Sequence, residues 1–136
     1  MSVGDLAEKV HLSLSACSRR LQRLENDGYI LRRVAILDRA KMGLPTTVFA
    51  LIRTTKHSDE WIELFRSTIS GIAEITEAHR LTGHYDYLLK VVLPRAEHYD
   101  VVYKAIVRKL ELFDVTASIS MEVLKSGDVL PVSYAI

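Results

Sequence analysis

Residues 115–124, VTASISMEVL, form the most regular stretch of the chain: Val115, Ala117, Ile119, Met121 and Val123 alternate with Thr116, Ser118, Ser120 and Glu122. Successive side chains of a strand point to opposite faces, so the alternation predicts a strand with one apolar face toward a core and one polar face. Upstream, Tyr99, Val102, Tyr103, Ile106, Val107 and Leu110 fall at helical spacing and predict an amphipathic helix. Before it, residues 87–93 read as a strand that Pro94 stops, residues 82–86 as a turn, and residues 72–81 as another strand. Ser58 caps a further helix whose inner side is Trp61, Ile62, Phe65 and Ile69 and which ends at Gly71. Residues 47–54 (TVFALIRT) are apolar on both faces at their centre, which predicts a strand covered on both sides.

The order is therefore β-α-β-β-α-β, a ferredoxin-like split βαβ sandwich with two helices on one side of a four-stranded antiparallel sheet. Such a sheet leaves one face uncovered. Because its first and third strands are apolar on both sides, that face is expected to pack against a second copy of the chain.

The head of the chain follows a different pattern. Val3, Leu6, Ala7 and Val10 share one helix face, and Ser2 with Asp5 three residues later forms a capping pair. After the brief link His11-Leu12, Ser13 offers a second N-cap, and Gly28 suits the end of the helix it opens. That second helix carries Leu14, Cys17, Leu21 and Leu24 on its inner side and Arg19, Arg20 and Arg23 on its outer side. Two short helices joined tightly, the second bearing exposed arginines, form the pattern of a helix-turn-helix. In that geometry Ser13, Ser15, Ala16, Ser18, Arg19 and Arg20 lie near base edges, and Arg23 can hold a phosphate of double-stranded DNA. On the charge run alone, the arginines equally suit a solvated surface helix. Ile30, Leu31, Val34 and Ile36 read as short wing strands, Arg32 and Arg33 as further phosphate contacts, and residues 41–45 as the domain boundary.

Composition agrees with this division. The 136 residues are 49% hydrophobic and 26% charged, the balance of a globular protein with a real core. Residues 1–34 carry six cations against four anions, while the net charge of the whole chain is +1. No run approaches the ~18 apolar residues of a membrane span, so a cytoplasmic protein is the expectation. A lone cysteine, Cys17, rules out an intramolecular disulfide, and it reads as a small core residue. The five histidines lack metal-ligand spacing, so neither a metal nor a cofactor is expected. No nucleophile and base, and no phosphate loop, suggests an enzyme.

With these motifs in place, the chain resembles the leucine-responsive and asparagine-synthase regulator (Lrp/AsnC) family of transcription factors. The resemblance is carried by LAEKVHLSLSACSRRLQRLENDGYI, by LTGHYDYLLKVV and by DVTASISMEVLK, with Cys17, Arg19, Arg20, Leu24, Gly28 and Ile30 in the family's recognition-helix pattern. Gly83, Asp86 and Tyr87 fall in its G-x-x-D-Y turn. It implies homodimers that assemble into octamers or similar rings, and an amino acid effector bound between subunits. The expected division is a helix-turn-helix with connector over residues 1–40 and an effector-binding and oligomerisation domain over 41–136. Family members begin with a further helix upstream, so the head is expected to be N-terminally incomplete. The prolines common in the family near Leu14 and Ala16 are also missing here. An oligomeric sensor without DNA binding is the alternative.

For the effector, Leu81, Thr82, Gly83, His84, Asp86 and Tyr87 are the candidate contacts on the turn, with Thr116, Ser118 and Ser120 on the last strand. Gly83 would let a ligand approach the backbone, free N–H groups there suit a carboxylate, and Asp86 suits an α-ammonium group. The residues alone also fit an ordinary hairpin turn beside a solvated strand face.

Overall fold

The computed structural model describes residues 1–127 and 129–136. The chain divides into two compact units, Met1–Ile36 and Leu37–Ile136.

The first unit holds α1 (Val3–Lys9) and α2 (Leu14–Asn26). At the start of α1 the capping box is complete: the Asp5 N–H donates to Ser2 Oγ at 3.1 Å, and the Ser2 N–H donates to Asp5 Oδ2 at 2.8 Å. The link closes as a Schellman motif, with the Leu12 N–H on the Ala7 carbonyl and the His11 N–H on that of Glu8. His11 sits at the left-handed position, φ 54°, where glycine is the ordinary occupant. Ser13 then caps α2 by accepting from the Ala16 N–H, and Gly28, φ 80°, ends it as expected. Ala7 and Cys17 are buried together between the helices. The expected inner stripe is only partly covered: Leu14 is 60% and Leu24 40% exposed, because α1 spans just seven residues and shields the Cys17 turn alone.

Two further expectations are corrected. Residues 30–36 form no strand: Leu31, Val34 and Ile36 stand in solvent with no neighbouring strand to pair with. The last strand is also shorter than its alternation.

The second unit is built from β1 (Thr46–Arg53), α3 (Asp59–Ser70), β2 (Ile75–Arg80), β3 (Tyr87–Leu93), α4 (Tyr99–Val107) and β4 (Asp114–Ile119). The antiparallel sheet runs β2-β3-β1-β4, the order of the ferredoxin-like sandwich. β3 has the expected bounds, whereas β2 starts at Ile75 because residues 72–74 are used in a turn closed by Ile75 N–H on the Ile72 carbonyl. β4 stops at Ile119, opposite Val48, and only Ser120 N–H still reaches β1, on the Thr47 carbonyl. Pairing with β1 ends there, close to the start of β1 at Thr46, so Met121 and Val123 continue the alternation in solvent. In β2 the register slips between Ile75 and Glu77, leaving Thr76 as an extra residue.

Val48, Ala50 and Ile52 of β1 and Tyr87, Leu89, Val91 and Leu93 of β3 point to the helical side. There they meet Trp61 and Phe65 of α3, Val102 and Ile106 of α4, and Leu110. Each such side chain, fully buried, contributes about 1.5–3 kcal/mol of transfer free energy. Trp61 stacks on Phe65 at 5.2 Å between ring centres. The opposite face of the sheet carries Phe49 and Leu51 of β1, Leu88 of β3 and Thr116 and Ser118 of β4. Phe49 is 37% exposed on it, and no helix of the second unit covers this side.

Candidate functional site

On α2 the outer side is cationic for a geometric reason. Residues two positions apart are turned by about 200° on a helix, so Arg19 projects roughly opposite Cys17. With Cys17 fixed inward by burial, Ser15, Arg19 and Arg23 are turned outward. Ser13 Oγ, besides capping, lies 3.3 Å from Ser15 Oγ, which steadies the helix entrance. Ala16 is half-buried, and Ser18, Arg19 and Arg20 are exposed. The arginines are not equivalent. Arg23 pairs with Asp27 at 3.5 Å, and Arg33 with Glu25 at 2.7 Å. Arg19 and Arg20 have no ion-pair partner among the described residues. On α2 itself Arg19 and Arg20 thus remain available to an external anion, as does Arg32 beyond the helix, while Arg23 and Arg33 must first release a carboxylate.

In the second unit the turn between β2 and β3 is fastened to the sheet at several points. The Leu81 N–H donates to the Asp86 carbonyl and the Asp86 N–H to that of Ile52, each at 2.8 Å. Asp86 Oδ2 accepts from the Thr54 N–H at 2.8 Å, just past the end of β1. Gly83 adopts φ 102°, a conformation that strains any other residue. Thr82, Gly83 and His84 are exposed, Leu81 is half-buried, and the His84 ring meets Tyr85 edge-on at 5.0 Å.

Tyr85, absent from the expected contacts, links the turn to the last strand: its hydroxyl lies 3.3 Å from Thr116 Oγ1. Nothing in the sequence marked a contact between residues so far apart. The turn and Thr116 are thereby brought together, and Ser118 follows two residues along the same face beside Phe49. Ser120, at the frayed end, turns its hydroxyl to the Glu122 carbonyl. Tyr87 goes the other way. It is buried on the helical side, 4.4 Å from Phe65 between ring centres, and so sits on the opposite face from Thr116 and Ser118. Its parity with Leu89 and Val91 was the signal for that placement.

The arrangement offers a ligand an open glycine turn, the second oxygen of Asp86 and the hydroxyls of Tyr85, Thr116 and Ser118, beside the apolar Phe49, Leu51 and Leu88. Among the described residues no group of three or more His, Cys, Asp or Glu side chains is arranged to hold a metal ion, and no helix is long and apolar enough to cross a membrane.

Comparison with known proteins assigns both units. Residues 47–130 match the family described as the Lrp/AsnC ligand binding domain, and residues 1–30 match a winged helix-turn-helix DNA-binding family. The HTH-type transcriptional regulator Zrp of Zymomonas mobilis is 48% identical over 134 residues, covering 98% of this chain and 88% of its own. A crystal structure of an AsnC family transcriptional regulator from Agrobacterium tumefaciens, 44% identical, superposes with a TM-score of 0.90 over 100% of this chain and 89% of that one. A transcriptional regulator of Neisseria meningitidis, solved as an L-Met complex, has the same fold at 24% identity, with a TM-score of 0.89 over 100% of this chain and 88% of that one.

Proposed function

The chain belongs to the Lrp/AsnC family of DNA-binding transcription regulators, and from that premise we propose how it reads DNA and what it senses. α2 lies in the major groove of double-stranded DNA. Arg19 and Arg20 contact base edges or phosphates, Ser13, Ser15, Ala16 and Ser18 line the approach, and Arg23 and Arg33 engage phosphate after exchanging partners. The observation that carries this reading is the pair of exposed guanidinium groups on α2 without an ion-pair partner among the described residues, Arg19 turned away from buried Cys17 and Arg20 on the flank of the helix.

Residues 1–40 serve DNA and residues 41–136 serve sensing and assembly. Two copies join through the open sheet face around Phe49, Leu51 and Leu88, and dimers associate further into octamers or similar rings. An amino acid binds at the turn, its carboxylate on the backbone around Gly83 and its ammonium on Asp86, with Thr116 and Ser118 beside it. The ligand acts by binding one assembly state more tightly than another, which shifts the spacing of paired α2 helices. The site is cytoplasmic, where its DNA is.

The test is an electrophoretic shift on DNA upstream of its own gene. Arg19→Ala is expected to weaken binding by about five-fold or more, in line with the ~1–3 kcal/mol of a base contact, and to leave the assembly mass unchanged. Equal binding by the variant at moderate salt overturns the assignment of α2. Native mass measurement with a panel of amino acids tests the sensing half: if none changes mass or shift, that half fails. A second reading, sensing without DNA binding, is favoured by the exposure of Leu14 and Leu24, which leaves α2 thinly seated. No shift on any upstream DNA at low salt, with an intact amino acid response, selects it.

A further inference from the structure

Apart from the turn, the second unit contains a groove of about 290 Å³ between α3 and β2. Its walls are set by two simple periodicities. On α3, Ile62, Arg66 and Ile69 fall at i, i+4 and i+7 and share one helix side. On β2, Ala78 and Arg80 are two apart and point to the same helical side, Arg80 directly opposite Tyr87 of β3. The groove therefore has an apolar floor that reaches Phe65 and Tyr87, with a guanidinium on each side.

The charged groups lining the groove are two guanidiniums, and the other polar side chains on it are His79, whose Nε2 lies 3.5 Å from Glu77 Oε2, and Tyr87. Arg80 is exposed and has no ion-pair partner among the described residues, and Arg66 is held only by exposed Glu63 at 3.2 Å. The Tyr87 hydroxyl, at the floor, has no hydrogen-bond partner among the described residues. No carboxylate lines the groove. A ligand here meets two cationic donors for an anion and apolar surface for a tail, but among the described residues no lining carboxylate that would neutralise an ammonium group. The volume accommodates about ten non-hydrogen atoms at ~30 Å³ each.

We propose that the α3–β2 groove is a second binding site, for a small apolar carboxylate lacking an ammonium group, of the 2-oxo acid or aryl-alkanoate type. Arg66 and Arg80 hold the carboxylate by charge-assisted hydrogen bonds, and the side chain lies over Ile62, Ile69 and Ala78. Such a site discriminates against the amino acid of the same carbon skeleton, since its ammonium would lose water without gaining a partner. The two sites then read opposite sides of an amino-group removal: the turn takes the amino acid, and the groove takes the class of product that deamination or transamination yields.

The experiment is calorimetric titration of the full chain with 3-phenylpropanoate and with 4-methyl-2-oxopentanoate, in parallel with L-phenylalanine and L-leucine. Saturable binding of the carboxylates is expected, unaffected by Asp86→Asn and not competed by the two amino acids. Arg80→Gln is expected to weaken it at least about tenfold, as loss of a charge-assisted bond does. Ala78→Leu, which fills the groove while keeping both arginines, is expected to abolish it. No saturation up to about 10 mM, the weak end of specific affinity, overturns the proposal. So does binding that survives both variants, or that disappears in Asp86→Asn, which would place the ligand at the turn instead.

Discussion

Asp86 carries two duties that a pair of substitutions can separate. Its Oδ2 accepts the Thr54 N–H at 2.8 Å, and Thr54 is buried at 7% exposure, so the bond is largely shielded from water. Asp86→Ala leaves that N–H without an acceptor. A hydrogen bond to a charged group contributes about 1.5–3 kcal/mol, and an orphaned buried donor costs about the same. Taking ~2 kcal/mol, and about 4–8 °C of melting temperature per kcal/mol for a unit of 100 residues, the expected fall is roughly 8–16 °C. Asp86→Asn keeps a carbonyl oxygen in place and exchanges a charged acceptor for a neutral one. It should lose no more than ~1 kcal/mol, at most about half the shift of the alanine variant. For the ligand the order reverses. Oδ1 has no hydrogen bond among the described residues and is the oxygen available to an ammonium group, so the asparagine variant, although folded, should bind the amino acid at least about tenfold more weakly. Melting by circular dichroism and titration of the same samples measure both. If the two variants melt together, the Thr54 bond is not what Asp86 contributes to stability. If Asp86→Asn binds the amino acid as wild type does, Asp86 does not contact the ammonium.

Further outcomes follow from other observations. His11→Gly relieves the left-handed backbone at the helix link and should stabilise the first unit by about 1 kcal/mol, the ~1–2 kcal/mol of strain less the added freedom of the unfolded chain; a lower urea midpoint for the variant would contradict this. Glu77 is held below its ordinary 4.5 first by the hydrogen bond from Lys90 and then by His79. A carboxyl lowered in the folded state adds stability above its unfolded pKa and loses it as the pH falls through the lowered value, so Glu77→Gln should flatten the stability profile below about pH 4.5. The effect is small because the side chain is half exposed, and an acid limb as steep as that of wild type would exclude it. Phe49→Glu places a charge on the open sheet face and, if copies associate there as proposed, should lower the sedimentation coefficient to that of a monomer without lowering helix content; an unchanged sedimentation coefficient would show that copies do not meet there.

The sequence located β3 to the residue because Pro94 bounds it on one side and a glycine turn on the other, so local chemistry alone sets its ends. β4 was overrun for the converse reason. Its alternation is a property of residues 115–124, but its length depends on pairing with β1, which begins at Thr46 and whose last bond to this strand is from Ser120 to Thr47. The same distinction divides the site. Gly83 announced its positive φ through residue type. The bond from Thr54 to Asp86 spans 32 positions and the one between Tyr85 and Thr116 spans 31, distances at which only the sheet order brings groups together. Tyr87 was grouped with the turn because it adjoins Asp86 in sequence, although strand parity places it among the core aromatics. On α2 the caps and arginines were legible, whereas the pairing of Arg23 and Arg33 with carboxylates depends on how side chains settle around the helix end.

The slip in β2 bears on where association stops. As an outermost strand, β2 presents backbone N–H and C=O groups that a neighbouring polypeptide could in principle zip onto, and repeated zipping would build an open-ended fibre. The extra residue Thr76 breaks the even spacing of those groups and increases the local twist. A straight incoming strand could match one side of the irregularity but not both. The β2 rim is thereby a poor template for an added strand, which disfavours open-ended growth along that side of the sheet.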